Sequence, residues 1–215
     1  MAKQKKKHKK PRPINVSSQI PISRIRPITF LGPRHHLRHA REYPILGCWV
    51  IEDWEDAGIT PVIVARQQEP EKVLFASYLV DLYCLGVKDA LAKTDISLRA
   101  FQRDLPELCN GEPEPCSVEL AHEIIYGAID YAARYGFQPH PDFKAQLCDQ
   151  VLDPRDTHPR KNNVKFGKDG KPLYVSGPFD DERRIRSVIS TLMRTAGEGN
   201  FDYVAALGSE EFFEE

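Results

Sequence analysis

KVLFASYLVDLYCLGVKDALA, residues 72–92, is the stretch on which the fold turns. Its first nine residues are rich in β-branched and aromatic side chains and read as a strand over 72–80. From Leu82 the period changes: Leu82, Leu85, Asp89 and Ala92 fall along one side of a helix, with Gly86 either weakening it or allowing close packing. Asp81 stands at the junction, a carboxylate inside a run that otherwise favours burial. Two roles suit it there. It caps the helix through its side-chain oxygen, or it is a functional carboxylate tuned by desolvation or by a bound ion.

Outward from this stretch, ILGCWVI (45–51) and PVIVARQ (61–67) are further strand-like runs. The short polar link between Gln67 and Lys72 fits a hairpin, so the three runs form an antiparallel meander. Downstream the pattern turns helical. A helix is expected over 96–108. SVELAHEIIYGAIDYAARY (117–135) carries one apolar stripe, with Ser117 as N-cap and Gly136 as terminator. The turn FQPHPDF leads to a short helix over 142–149. VKFGKDGKPLYV (164–175) reads as a hairpin around Asp169-Gly170, and DDERRIRSVISTLMR (180–194) as a last amphipathic helix. Strands grouped early and helices late indicate an α+β fold: a three-stranded meander, then helices, then a C-terminal hairpin and helix. The chain divides into a disordered basic tail (1–13), an extended, proline-broken strap (14–44), one α+β domain (45–207) and an acidic tail (208–215).

A chain of 215 residues is long enough to bury a core without a disulfide or metal staple. Its five cysteines are an odd number without a CxxC pair, which suits a reducing, cytoplasmic setting. No apolar run approaches the roughly 18 residues that cross a bilayer. The net charge of −1 conceals a division: residues 1–41 hold 12 of the 30 basic residues and no acid. Residues 42–215 set the other 18 against all 31 acids, leaving −13.

Twelve cations without an acid make a polyelectrolyte that binds phosphates in a salt-sensitive, sequence-independent way. On this reading Lys3, Lys5, Lys6, Lys7, Lys9, Lys10 and Arg12, continued by Arg24, Arg26, Arg34, Arg38 and Arg41, contact RNA or DNA. The competing reading folds the leader onto the protein's own acidic body, and that body alternatively engages a basic partner protein.

Chemistry on the body is confined to a few places. Asp81 and Asp89 lie on roughly one side of the expected helix, with Lys88 beside them. The 117–135 helix offers Glu119, Glu123, Tyr126 and Asp130 opposite its apolar stripe and His122 at the border. That set either holds a divalent cation or is a solvated acidic face. In PHPD, His140 is held between prolines with Asp142 two residues on, which orients an imidazole as base or ligand, or simply builds a turn. Cys109 and Cys116 lack the tight spacing of a structural zinc site, and GKDGKP lacks the spacing and hydroxyl of a phosphate loop.

PILGCWVIEDWEDAGITPVIVAR, YLVDLYCLGVKDAL and AHEIIYGAIDYAARYGFQPHPDF together resemble an uncharacterised bacterial protein family. The resemblance spans about residues 40–175 and implies no activity. Two functions are therefore expected from the residues. One is nucleic-acid binding, to RNA above all, through the leader. The other is a metal-dependent hydrolase or nuclease in which Asp81, Asp89 and Glu119 hold the ion and Asp81, His122, Asp130 and His140 act on the substrate.

Overall fold

The structure, a computed structural model, describes residues 32–161 and 163–205. The basic tail, the strap as far as residue 31 and the acidic C-terminal tail lie outside these residues. The centre is a five-stranded antiparallel sheet of β1 (Ile45–Ile51), β2 (Ile59–Glu69), β3 (Lys72–Asp81), β4 (Gly86–Ser97) and β5 (Pro113–Cys116), in the order β4-β3-β2-β1-β5. The expected meander is its core, and β2 and β3 close their hairpin with Glu69 opposite Lys72. β5, carrying proline at alternate positions 113 and 115, is added along the free side of β1.

Both faces of the sheet are covered. α4 (Val118–Arg134) lies over Val62, Val64, Leu74, Ala76, Tyr78 and Val80. α3 (Leu98–Cys109) lies over Ile63, Ala65, Val73 and Phe75 with its own Phe101 and Leu105. Neighbouring residues of β2 and β3 thus enter opposite cores. That is why these strands read as unbroken apolar runs rather than as alternating ones. Ser117 caps α4 as expected, its hydroxyl accepting the Leu120 amide, and α3, expected from residue 96, starts at Leu98 behind Ser97, whose hydroxyl accepts the Ala100 amide.

The helix expected from Leu82 does not form. Residues 82–85 are a tight turn, and Gly86–Ser97 return as β4, paired to β3 with Asp81 opposite Gly86. The apolar spacing that mimics a helix has another origin. Leu82 enters the core under α4, whereas Cys84 and Leu85 enter a separate cluster with Tyr174, Ile185, Val188 and Leu192. The turn is a plug between two cores, so its side chains are apolar without helical geometry. Gly86 is required there: its φ is +70°, and a Cβ would lie 3.0 Å from the Ala128 carbonyl oxygen.

The cluster around Leu85 anchors α7 (Glu182–Thr195), whose N-cap Asp181 accepts the Arg184 amide. Beside it, β6 (Leu173–Val175) pairs in parallel with β7 (Asp202–Val204). The C-terminal hairpin is confined to a single bridge between Lys168 and Lys171, turning at Asp169 and Gly170, both at positive φ. Leu173 and Val175 therefore face β7, not Val164 and Phe166. The last part of the strap is also not extended: α1 (Pro33–Arg38) starts on a proline at its first turn, where the missing amide costs nothing. Among the described residues three short α-helices, α2 (Trp54–Ala57), α5 (Asp142–Ala145) and α6 (Cys148–Val151), and a 3-10 turn at Ala40–Glu42 complete the fold. Among the described residues no helix is long and apolar enough to cross a membrane.

Candidate metal centre and adjoining cleft

Asp89 projects from β4, and its carboxylate is largely exposed. His140 reaches it from the far end of α4. Gly136, at φ +87°, ends that helix, with its amide on the Ala133 carbonyl and that of Phe137 on Ala132. The chain then runs back along β4, pinned where the His140 amide donates to the Val87 carbonyl at 2.8 Å. Pro139 and Pro141 restrict the backbone on either side, and Asp142 opens α5. The result is a grouping of two carboxylates and one imidazole. His140 Nδ1 stands 3.8 Å from Asp89 Oδ1 and 3.9 Å from Asp142 Oδ2. One ligand atom from each of the three lies within 4.8 Å of the others. His140 Nδ1 accepts the Asp142 amide at 3.3 Å, which orients the ring; an ion would take that lone pair in place of the amide.

One oxygen–nitrogen–oxygen set, half open to solvent, matches the donor preferences of a hard or borderline divalent ion and leaves coordination positions for water. His140 also lines a cleft of about 590 Å³ between the 136–141 segment, β4 and α7. Leu85, Val87, Phe137 and Val188 contribute to its apolar lining, while Lys88, Arg183, Arg184 and Arg194 bring four cations against the single carboxylate of Asp181. On a body with a strong acidic excess, this concavity is of the opposite sign. Arg184 is held by Asp180 at 3.0 Å. Burial raises the Asp180 pKa, but the Gly177 amide and the Tyr174 hydroxyl outweigh it, and the group is held below the usual carboxylate range.

The other residues singled out from sequence go elsewhere. Asp81 is buried, and its Oδ1 accepts the amides of Tyr83 and Cys84 at 2.9 Å, its Oδ2 that of Leu85 at 3.2 Å. It caps a turn, not a helix. Desolvation raises its pKa, and the three amides and Lys88 oppose the rise. His122 is buried with Nε2 3.0 Å from the Pro154 carbonyl, its ring edge-on to Tyr126 and His158. Burial lowers its pKa. Asp130 binds Arg155 and Arg160, which together overcome the desolvation of its carboxylate and lower its pKa. Glu119 lies 3.9 Å from His158, and Glu123 accepts the amides of Asn163 and Val164. The polar side of α4 is thus neither an open acidic face nor a ligand cage, because residues of the irregular stretch from Asp153 to Val164 are stitched onto it. Arg41 belongs to the same fabric, donating to the carbonyls of Leu152 and Asp149, whereas Arg34 and Arg38 are exposed on α1.

Three residues that the sequence did not single out form a hydrogen-bonded chain there, buried at Arg66 and half-buried at Asp153 and His158. Arg66, 3 % exposed, donates to the carbonyls of Val151 and Tyr43 and to Asp153 Oδ1 at 2.6 Å. Asp153 Oδ2 is 2.9 Å from His158 Nε2. A charged residue inside the apolar run PVIVARQ was the available signal. The α7 arginines carried a weaker one, since an amphipathic helix ordinarily exposes its charges. Comparison with protein-family models, curated proteins and solved structures finds no match to this chain.

Proposed function

We propose that the protein is a divalent-cation-dependent hydrolase whose ion is held by Asp89, His140 and Asp142. The convergence of three ligand atoms from β4 and the 140–142 turn carries this reading. An ion there would lower the pKa of a bound water and supply a nucleophile at neutral pH, and the adjoining cationic cleft would hold an anionic substrate. Manganese provides the test, because its paramagnetic signal disappears on binding. Titration of the full chain is expected to show one saturable Mn²⁺ site, a rise in Tm with ion concentration, and loss of both in Asp89→Asn/Asp142→Asn. Absence of binding at millimolar Mn²⁺, or binding unchanged by the double substitution, overturns the assignment.

Charge segregation favours a second activity, in a cytoplasmic setting that five unpaired cysteines suit: RNA or DNA contact through the leader, whose residues 1–31 hold nine cations and no acid. Replacing Lys3, Lys5, Lys6, Lys7, Lys9 and Lys10 by Gln is expected to flatten the salt dependence of nucleic-acid binding, and an unchanged slope rejects it.

A further inference from the structure

The wall that α7 presents to the cleft is ordered. Arg183, Ser187, Thr191 and Arg194 all line it, at spacings of four, four and three residues, so they form one stripe along the helix. Eleven residues at 1.5 Å per residue separate its two arginines by about 16 Å. Among the described residues neither Arg183 nor Arg194 has a hydrogen bond, ion pair or ring contact, whereas their neighbours Arg184 and Arg186 pair with Asp180 and Glu182. Arg183 in particular lies in the first turn, where the helix dipole disfavours a cation. Two exposed guanidinium groups without a protein partner at the ends of a cleft, hydroxyls between them and Lys88 and His140 across from them, suit an anion longer than one phosphate. About 16 Å corresponds to roughly five phosphates of a stacked strand at ~3.4 Å each.

We propose that this cleft binds the phosphates of a single-stranded polynucleotide along the Arg183–Ser187–Thr191–Arg194 stripe and delivers one phosphodiester to the Asp89–His140–Asp142 cluster. The substrate assignment rests on the hydrolase reading given above. Hydrolysis would add water across one ester linkage: the water oxygen forms a bond to phosphorus, the bond to the leaving oxygen breaks, and that oxygen takes a proton. The products are a phosphomonoester end and a hydroxyl end. Arginine suits the ends of such a track because its fork meets two phosphate oxygens at once.

The test uses the full chain and a fluorescein-labelled oligothymidylate carrying 4-thiothymidine, bound in EDTA so that no ion contributes. Ultraviolet cross-linking followed by trypsin and mass spectrometry is expected to place the nucleotide on the peptide of residues 187–194. Arg183→Gln/Arg194→Gln should keep its Tm, lose those cross-links and reduce the slope of log affinity against log salt by about 1.4. Between ~50 and ~200 mM salt the wild type then loses about sevenfold more affinity than the variant. Cross-links confined to residues 1–31, a salt slope untouched by the double substitution, or complete displacement of the oligonucleotide by inorganic phosphate would overturn the proposal. The two readings separate cleanly. Cross-links on α7 without Mn²⁺ uptake sink the metal centre and keep the cleft, and Mn²⁺ uptake without those cross-links does the reverse.

Discussion

Replacing Asp81 with alanine removes the acceptor for three amides in the turn that joins β3 to β4. Two of these amides belong to Cys84 and Leu85, 0 % and 6 % exposed, and have no access to water once the carboxylate is gone. Tyr83 is half-buried, and its amide recovers part of its loss from solvent. A buried donor left without a partner costs about 1–3 kcal/mol. Two such donors, less the relief of no longer desolvating a carboxylate, give about 3–4 kcal/mol, a large share of the ~5–15 kcal/mol that holds a domain together. With a urea slope of about 2 kcal/mol/M, the midpoint should fall by about 1.5–2 M, read from the fluorescence of Trp49 and Trp54. Asp81→Asn keeps an oxygen for Tyr83 and Cys84 and sacrifices only the bond to Leu85, so its midpoint should fall by about half as much. A midpoint for Asp81→Ala within about 0.5 M of wild type would refute the view that this carboxylate holds the turn.

Two further outcomes follow from burial. His122 has a lowered folded pKa, mainly through desolvation, so its contribution to stability is complete above its ordinary value of 6.5 and declines as pH falls below it. Tm should therefore drop between pH 7 and 5 and do so less in His122→Gln; a flat wild-type profile over that interval contradicts the assignment. Asp130, Asp153 and Asp180 also have lowered folded pKa values, because their hydrogen-bond and charge partners outweigh burial, so a second loss is expected as pH falls below about 3.8. Asp81, raised by desolvation, works in the opposite sense, and its effect comes at higher pH, as pH falls towards 3.8. Burial pushes the thiols of Cys48, Cys116 and Cys148 up to about 12 and that of Cys109 to about 11. At pH 8 the native protein should show no fast-reacting thiol towards a disulfide reagent, and five after denaturation. A rapid thiol in the native protein would show that one of these sites is open.

The sequence carried the parts of the fold that local physics determines. α4 and α7 announce themselves through period and cap, Ser117 and Asp181 each accepting the amide three residues on. β2 and β3 are evident because burial on two faces leaves them no polar alternation. The stretch 82–92 misled because its apolar spacing comes from a turn wedged between two cores, a circumstance that depends on α7, almost a hundred residues later. The polar side of α4 was hidden for a related reason: the stretch after α6 has no period, so nothing local tells which helix it covers. For the candidate centre, the link between His140 and Asp142 was readable from PHPD. Its meeting with Asp89 was not, since that depends on the backbone bond from His140 to Val87.

The prolines of β5 govern how this molecule meets its copies. Because Pro113 and Pro115 have no amide hydrogen, any bond donated to β1 comes from Glu114 or Cys116, and the alternate row facing away presents carbonyl oxygens alone. A foreign strand arriving at that margin finds nothing to accept from. At the opposite margin the His140 segment already occupies part of β4. Lateral growth into ribbons or fibrils is thus discouraged on both flanks, so that a high concentration of the protein would not convert its central sheet into a template.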